Sequence, residues 1–233
     1  MTTRSFIKGC LKCFKFNKMF SNLIFFGMQG SGKGTQGKLF AQKYDYQVFE
    51  TGKELRKIAQ EDSPLGKKVK EITEEGKLVP NEVVMEIVEN FVAHIPSEEK
   101  VIFDGLPRKE EQRVSFEELL ARFDRKGTGV LIKITEEEAI KRLTSRKVCE
   151  KCKAIFGAGY EDAVCDQCGG KLISRADDNL ESIKVRLNEY QKQTVPVIEK
   201  YREEERLIEI NGIQGAEEVA KELEEKLGVA ESE

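Results

Sequence analysis

Gly27-Met28-Gln29-Gly30-Ser31-Gly32-Lys33-Gly34-Thr35 lies between two segments of opposite character. Before it, Leu23-Ile24-Phe25-Phe26 is a short apolar run that reads as a buried strand. After it, Gln36 to Lys43 sets Leu39 and Phe40 among polar residues, as on a helix with one buried face. Strand, glycine-rich loop and helix is the order in which G-x4-G-K forms a phosphate cradle. The glycines let the loop wrap with its N–H groups inward, and the helix N-terminus adds partial positive charge. Lys33 would reach the β- and γ-phosphates as a point charge. Many such loops place Ser or Thr after the lysine to hold Mg²⁺. Here Gly34 stands there and Thr35 follows. Magnesium would then be held mostly through water and nucleotide, with a carboxylate elsewhere assisting.

A chain of 233 residues can bury a sizeable core in one or two domains. Charged residues make up 35% and apolar ones 39%, as in a globular protein. No apolar run approaches the roughly 20 residues of a membrane span. The net charge of −3 points to no nucleic acid. Charge is uneven, because Arg4, Lys8, Lys12, Lys15 and Lys18 stand in a leader, residues 1–20, that holds no acid. The leader reads as an amphipathic segment for an anionic membrane or for targeting, or as an unstructured extension with the working start at Met19. The lone His94 falls at a helix end, and a histidine base is not expected.

The six cysteines form three C-x2-C pairs, Cys10/Cys13, Cys149/Cys152 and Cys165/Cys168. With no secretory pattern, a reducing compartment, the cytoplasm, is expected, and paired cysteines there read as metal sites. The second and third pairs, twelve residues apart, offer four thiolates for tetrahedral Zn²⁺, and Gly169-Gly170 supplies a tight turn. Iron, a redox pair or a degraded site stay open. Cys10/Cys13 has no second pair near it.

Further segments complete a pattern. Tyr46-Gln47-Val48-Phe49 is a second strand, leading into Glu50-Thr51-Gly52-Lys53-Glu54-Leu55-Arg56. Thr51 would cap a helix and meet a ligand, and Arg56 would pair with a phosphate. Gly76-Lys77-Leu78-Val79-Pro80 precedes Asn81 to Ala93, with apolar residues at helical spacing. Val101-Ile102-Phe103 ends in Asp104-Gly105-Leu106-Pro107-Arg108, with Gln112 beyond. Strands at Gly129–Ile134 and Leu207–Ile210 follow, and a final helix spans Ala216–Leu227. Thr135 and Glu138 predict a capping box, and Pro196 a break or kink. Arg142 and Arg146, four apart, would repel unless an anion lay between them.

The Gly-Lys-Gly-Thr loop resembles nucleoside monophosphate kinases, and adenylate kinases in particular. The Thr51–Arg56, Gly76–Val79 and Asp104–Arg108 segments, Ser174-Arg175-Ala176-Asp177-Asp178 and Val185–Tyr190 match that family in order, from about Leu23 to Leu227. Departures are Glu50 for the usual Ser, Lys53 for Asp and Leu106 for Phe. Thr51, and Lys109 where UMP and CMP kinases carry Asn, favour AMP.

The resemblance implies a three-layer α/β fold with a five-stranded parallel sheet. Its core would take residues 21–49, 80–144 and 179–233, with an AMP-binding insertion at 50–79 and a zinc lid at 145–178. It implies transfer from ATP to AMP giving two ADP, by lid closure and charge neutralisation. Lys33, Asp104, Arg108, Arg142, Arg146, Arg175 and Arg186 would carry the transfer. Gly30, Ser31, Gly32, Lys33, Gly34, Thr35, Arg142, Arg146, Ile155, Phe156 and Gln214 would hold ATP. Thr51, Arg56, Lys77, Leu78, Val79, Gly105, Leu106, Pro107, Arg108, Gln112, Arg175 and Arg186 would hold AMP. Zn²⁺ on Cys149, Cys152, Cys165 and Cys168 would be structural, Mg²⁺ would come with ATP, and the chain would be a monomer. A UMP/CMP kinase, or a zinc-ribbon module switched by ATP without transfer, are the competing readings.

Overall fold

The computed structural model describes residues 21–157, 159–175 and 178–229; the leader and Cys10/Cys13 lie outside them. Strand β1 (Asn22–Phe26) is buried along its whole length. Its Ile24 and Phe26 enter one apolar cluster and its Leu23 and Phe25 another. A strand covered by helices on both faces must be apolar at every position, which is why the run does not alternate.

Helix α1 (Lys33–Tyr44) follows, then β2 (Tyr46–Glu50), α2 (Thr51–Ile58), α3 (Pro64–Glu74) and α4 (Asn81–Ala93). Next come β3 (Lys100–Asp104), α5 (Glu110–Arg122), β4 (Gly127–Lys133) and α6 (Glu136–Ser145). Three short strands, β5 (Lys147–Cys149), β6 (Ile155–Phe156) and β7 (Leu172–Ile173), lead to α7 (Leu180–Glu189) and α8 (Val195–Glu203). Strand β8 (Leu207–Asn211) and α9 (Ala216–Lys226) close the chain. The main sheet has the order β2-β3-β1-β4-β8 and is parallel throughout, the α/β architecture anticipated above. Asp104 pairs in register with Phe25 on one side and Glu50 on the other. The carboxyl ends of β1, β2 and β3 therefore finish together, where ligands bind in open α/β sheets.

Two local expectations are corrected. Thr135 caps α6 by accepting the Glu138 N–H at 3.2 Å, but Glu138 gives its carboxylate to Arg142 Nε at 2.7 Å rather than completing a capping box. Pro196 does not break the chain's helical course. Residues Tyr190–Thr194 widen into a π-turn and α8 runs on from Val195.

The segment between β2 and α4 is tied down at its end. Gly76 has φ +75°, and a Cβ there would stand 2.8 Å from Ser182 O on α7. Ser182 Oγ returns a bond to Glu74 O at 2.8 Å.

Candidate active site

The loop after β1 opens into a cleft lined by Gln29, Lys33, Gly105, Pro107, Arg108 and Thr194, among others. Gly30 and Gly32 take φ values of +85° and +89°, left-handed backbone that favours glycine. Lys33 Nζ donates to Met28 O at 3.4 Å across the loop. Burial lowers the Lys33 pKa to about 8; Asp104 opposes the shift, while Arg108, Arg146 and Arg186 add to it. A cleft that gathers so much positive charge is poised for a polyanion.

Gly34 has a steric reason. A Cβ there would lie 3.1 Å from Asp104 Oδ2 and 3.9 Å from Glu50 Oε1. Serine or threonine at this position would crowd the carboxylate at the end of β3. Asp104 Oδ1 is buried without a hydrogen-bond partner. Burial raises the Asp104 pKa against the opposing charges of Lys33 and Arg108. A hydrated cation would satisfy such an oxygen, and the donor set fits Mg²⁺ carried with a nucleotide.

The acceptor side is built on β2 and β3. Thr51 is the first residue of α2; Glu50 is the N-cap, and the Thr51 hydroxyl is buried with no partner. The hydroxyl does not cap the helix as anticipated, which leaves it for a ligand. The Arg56 guanidinium lies over Gly52, with Nη1 3.1 Å from where a Cβ would be. Gly105, at φ +88°, lets Arg108 Nη2 and Thr51 Cβ close in to 2.8 and 3.6 Å of its missing Cβ. Arg108 Nε donates to Gly105 O at 2.6 Å. Its backbone N–H donates to Gln112 Oε1 at 2.7 Å. That bond orients the Gln112 amide, leaving Nε2 as the group free of this contact. Leu106 and Val79 are buried, whereas Lys77 is exposed and pairs with Glu75 at 2.7 Å.

The arginines are distributed differently from the expectation. Arg146 is not on the helix with Arg142: it is the extended C-cap of α6. Each has its own protein partners. Arg142 bonds Glu138 and donates to Gly212 O at 2.9 Å, which brings it to the loop carrying Gln214. Arg146 makes two bonds to Asp178, at 2.8 and 2.6 Å. Arg186 reaches the same carboxylate at 2.9 Å. The Asp178 side chain is 2% exposed, and it holds the buried Arg186 and the partly buried Arg146 together. Arg175 is half-buried, and its carbonyl accepts the Asp178 N–H at 3.0 Å. Asp178 is a site residue that the motifs do not single out; its place at the end of the ion-rich Ser174–Asp178 segment was the available signal.

Of the two residues expected over a base, Ile155 is 48% exposed but Phe156 is buried against Cys149, Cys165 and Tyr160. The Gln214 side chain is tied to Glu222 at 2.6 Å. His94 is exposed, with Nδ1 2.6 Å from Asn90 O.

The sulfurs of Cys149, Cys152, Cys165 and Cys168 all lie within 4.8 Å of one another. Two pairs, Cys149/Cys168 and Cys152/Cys165, approach to 3.5 Å. A tetrahedral centre with 2.3 Å bonds needs sulfurs about 3.8 Å apart, so the cluster is positioned to bind a metal ion. Cys152 N–H donates to Cys149 Sγ at 3.4 Å. A Cβ on Gly170 would fall 2.7 Å from Cys149 Sγ and 3.3 Å from Cys168 Sγ, so this turn closes on the sulfurs only without a side chain. Burial pushes the Cys149 thiol up, but the backbone N–H of Cys152 and its other donors outweigh this and hold it down to about 6. The Ala154 N–H favours the Cys152 thiolate, yet burial and the three neighbouring thiols push it up to about 12. Four thiolates share so small a space only around a cation.

The adenylate kinase family model matches residues 25–206. An adenylate kinase of Archaeoglobus fulgidus is 39% identical over 208 residues, covering 87% of this chain and 96% of the relative. One from Petrotoga mobilis is 38% identical over 206 residues, covering 86% and 94%. One from Clostridium tetani is 35% identical over 212 residues, covering 89% and 98%.

Proposed function

The chain belongs to the adenylate kinase family, and on that premise we propose how its cleft carries out the reversible transfer of a phosphoryl group from ATP to AMP, giving two ADP. The observation that carries the assignment of roles is the convergence of Lys33, Arg108, Arg146 and Arg186 on one cleft beside the unpartnered oxygens of Asp104 and Thr51.

The loop N–H groups of Gly30 to Thr35 and Lys33 receive the phosphates of ATP. Arg56 and Arg108 hold the phosphate of AMP, and the Thr51 hydroxyl bonds it or the sugar. Gln112 Nε2 donates to the adenine edge while its oxygen stays on Arg108 N–H. The backbone of Lys77 to Val79 passes the same base, and Gly105 to Pro107 form the floor. The Arg142 contact with Gly212 aligns the Gln214 loop, where the ATP base would lie with Ile155 above it. Asp104 grips the water shell of the magnesium that accompanies ATP. Phosphoryl transfer needs alignment and charge neutralisation more than covalent chemistry. Arg142, Arg146, Arg175 and Arg186 supply the neutralisation. On closure, phosphate oxygens compete with Asp178 for Arg146 and Arg186, so the carboxylate stores these two cations until substrate arrives.

In this reading residues 21–49, 80–144 and 179–233 form the core, 50–79 the AMP-binding insertion and 145–178 the lid. Cys149, Cys152, Cys165 and Cys168 would hold Zn²⁺, which would serve the lid's shape rather than the chemistry. The protein works as a monomer in the reducing cytoplasm. No helix among the described residues is long and apolar enough to cross a membrane. The test is to mix ATP, AMP and Mg²⁺ with the full chain and follow ADP. Rapid equilibrium with AMP and little turnover with UMP or CMP supports the assignment. No ADP, or equal rates with UMP, overturns it.

A further inference from the structure

The helical run that carries Arg186 has an irregularity the proposed roles leave unused. After α7, Tyr190–Thr194 wind as a π-turn, and the Val195 N–H donates to Tyr190 O, five residues back. Such turns are rare and concentrate at functional sites. Pro196 supplies a local cause, since it has no N–H for the carbonyl four residues before it and its ring crowds that position.

The turn changes which side chains face the cleft. On a regular helix, residues eight apart differ by about 80° around the axis. The wider turn takes up much of that offset. Arg186, Tyr190 and Thr194 are all buried, and Tyr190 and Thr194 line the cleft with Arg108. In a regular helix a threonine hydroxyl often bonds a carbonyl one turn back. Thr194 Oγ1 instead donates to Arg108 O at 3.1 Å. Arg108 is thus held at three points: its N–H by Gln112, its Nε by Gly105 O, and its carbonyl by Thr194.

We propose that Thr194, presented by the π-turn, is a positioning residue for the transfer: it fixes the main chain of Arg108 and so the aim of its guanidinium beside Lys33. The proposal rests on the reading that Arg108 meets a phosphate. A hydroxyl is required, because a methyl group in its place would take this donor from the partly buried Arg108 carbonyl.

The experiment uses the full chain with Thr194→Val and Thr194→Ser, each alone and combined with Arg108→Ala. Initial rates with ATP and AMP, both KM values and thermal melts are measured. Thr194→Val should lower kcat/KM for AMP about tenfold, with the KM for ATP within about twofold and the melt within a few degrees. Thr194→Ser should recover the rate to within about threefold. In the Arg108→Ala background the valine should cost less than about twofold, because residues acting as a unit are not additive. If the valine variant gives no cooperative melt, Thr194→Ala against Thr194→Ser carries the same comparison. A valine or alanine rate within twofold of the parent overturns the proposal. So does a loss that serine fails to restore, or one that adds in full to Arg108→Ala. A parent chain that makes no ADP overturns the functional reading itself. An Arg108→Ala chain as active as the parent overturns the role of Arg108. Both failures are separate from that of Thr194.

Discussion

The phosphate loop leaves a strand with five buried residues, whereas the lid's buried cluster is Cys149, Phe156 and Cys165. Both regions close glycine turns on polar atoms, but different forces hold them. Around β1, apolar clusters on both faces of the sheet fix where Lys33 and Asp104 stand before any ligand arrives. In the lid, Ile155, Val164 and Ile173 remain exposed. Burying one phenylalanine contributes about 3 kcal/mol, less than ordering so much chain costs. On the proposed reading the four sulfurs are joined through a metal, and metal binding would be folding free energy there. The core is expected to lose a charge and stay folded, whereas the cysteine segment should not keep its shape after losing a ligand.

The largest effect expected is on chemistry in the core. Lys33→Met should fold with an unchanged or raised melting temperature, since it removes a buried cation, yet lose roughly 10³-fold or more in rate. Activity within threefold of the parent would remove the loop from the mechanism.

Cys165→Ser attacks the other side of the comparison. Metal content and melting temperature should fall together, and strong chelation of the parent should do the same. Activity should drop more at high than at low temperature, because the lid opens locally before the sheet does. A chain purified without metal, whose stability ignores added zinc under reducing conditions, would end the distinction drawn here.

Gln112→Ala should be milder. It frees the Arg108 N–H and withdraws an amide from the base, for about 1–3 kcal/mol in kcat/KM with AMP and much less with UMP. Equal losses for both nucleotides would make Gln112 a structural cap only.

The smallest effect expected comes from the proton on Lys33. Its pKa is about 8 in the folded chain, against 10.5 for the free side chain. The charged amine therefore opposes folding in full below pH 8. That opposition fades as pH rises toward 10.5, because the unfolded chain binds more protons across this window. Phosphate binding reverses the preference, so at pH 9 ATP should bind with proton uptake at Lys33. Calorimetry in two buffers of different ionisation enthalpy would detect the uptake, and Lys33→Met should abolish it. Uptake that persists in the variant would assign the proton elsewhere.

Much of this molecule is legible as spacing. The strand–loop–helix around Lys33 and the four-cysteine cluster follow from patterns within about twenty residues of one another, whereas the parallel five-stranded architecture came from the family resemblance of segments along the whole chain. Local periodicity and glycine chemistry operate on that scale. The partners of each charge were not legible in this way. Asp178 binding both Arg146 and Arg186 and the unmet Thr51 hydroxyl depend on how separate elements pack. Gly34 is similar: the sequence alone determined that a glycine follows Lys33, and only the packed sheet put Asp104 where a side chain there would crowd it. The π-turn is the clearest case. Pro196 announced a disturbance by its missing N–H and rigid ring, which are covalent properties of one residue. Whether that disturbance became a break, a kink or a widened turn was decided by the long-range contact of Thr194 with Arg108 and the burial of Tyr190. Such a balance among packed neighbours has no counterpart in local sequence.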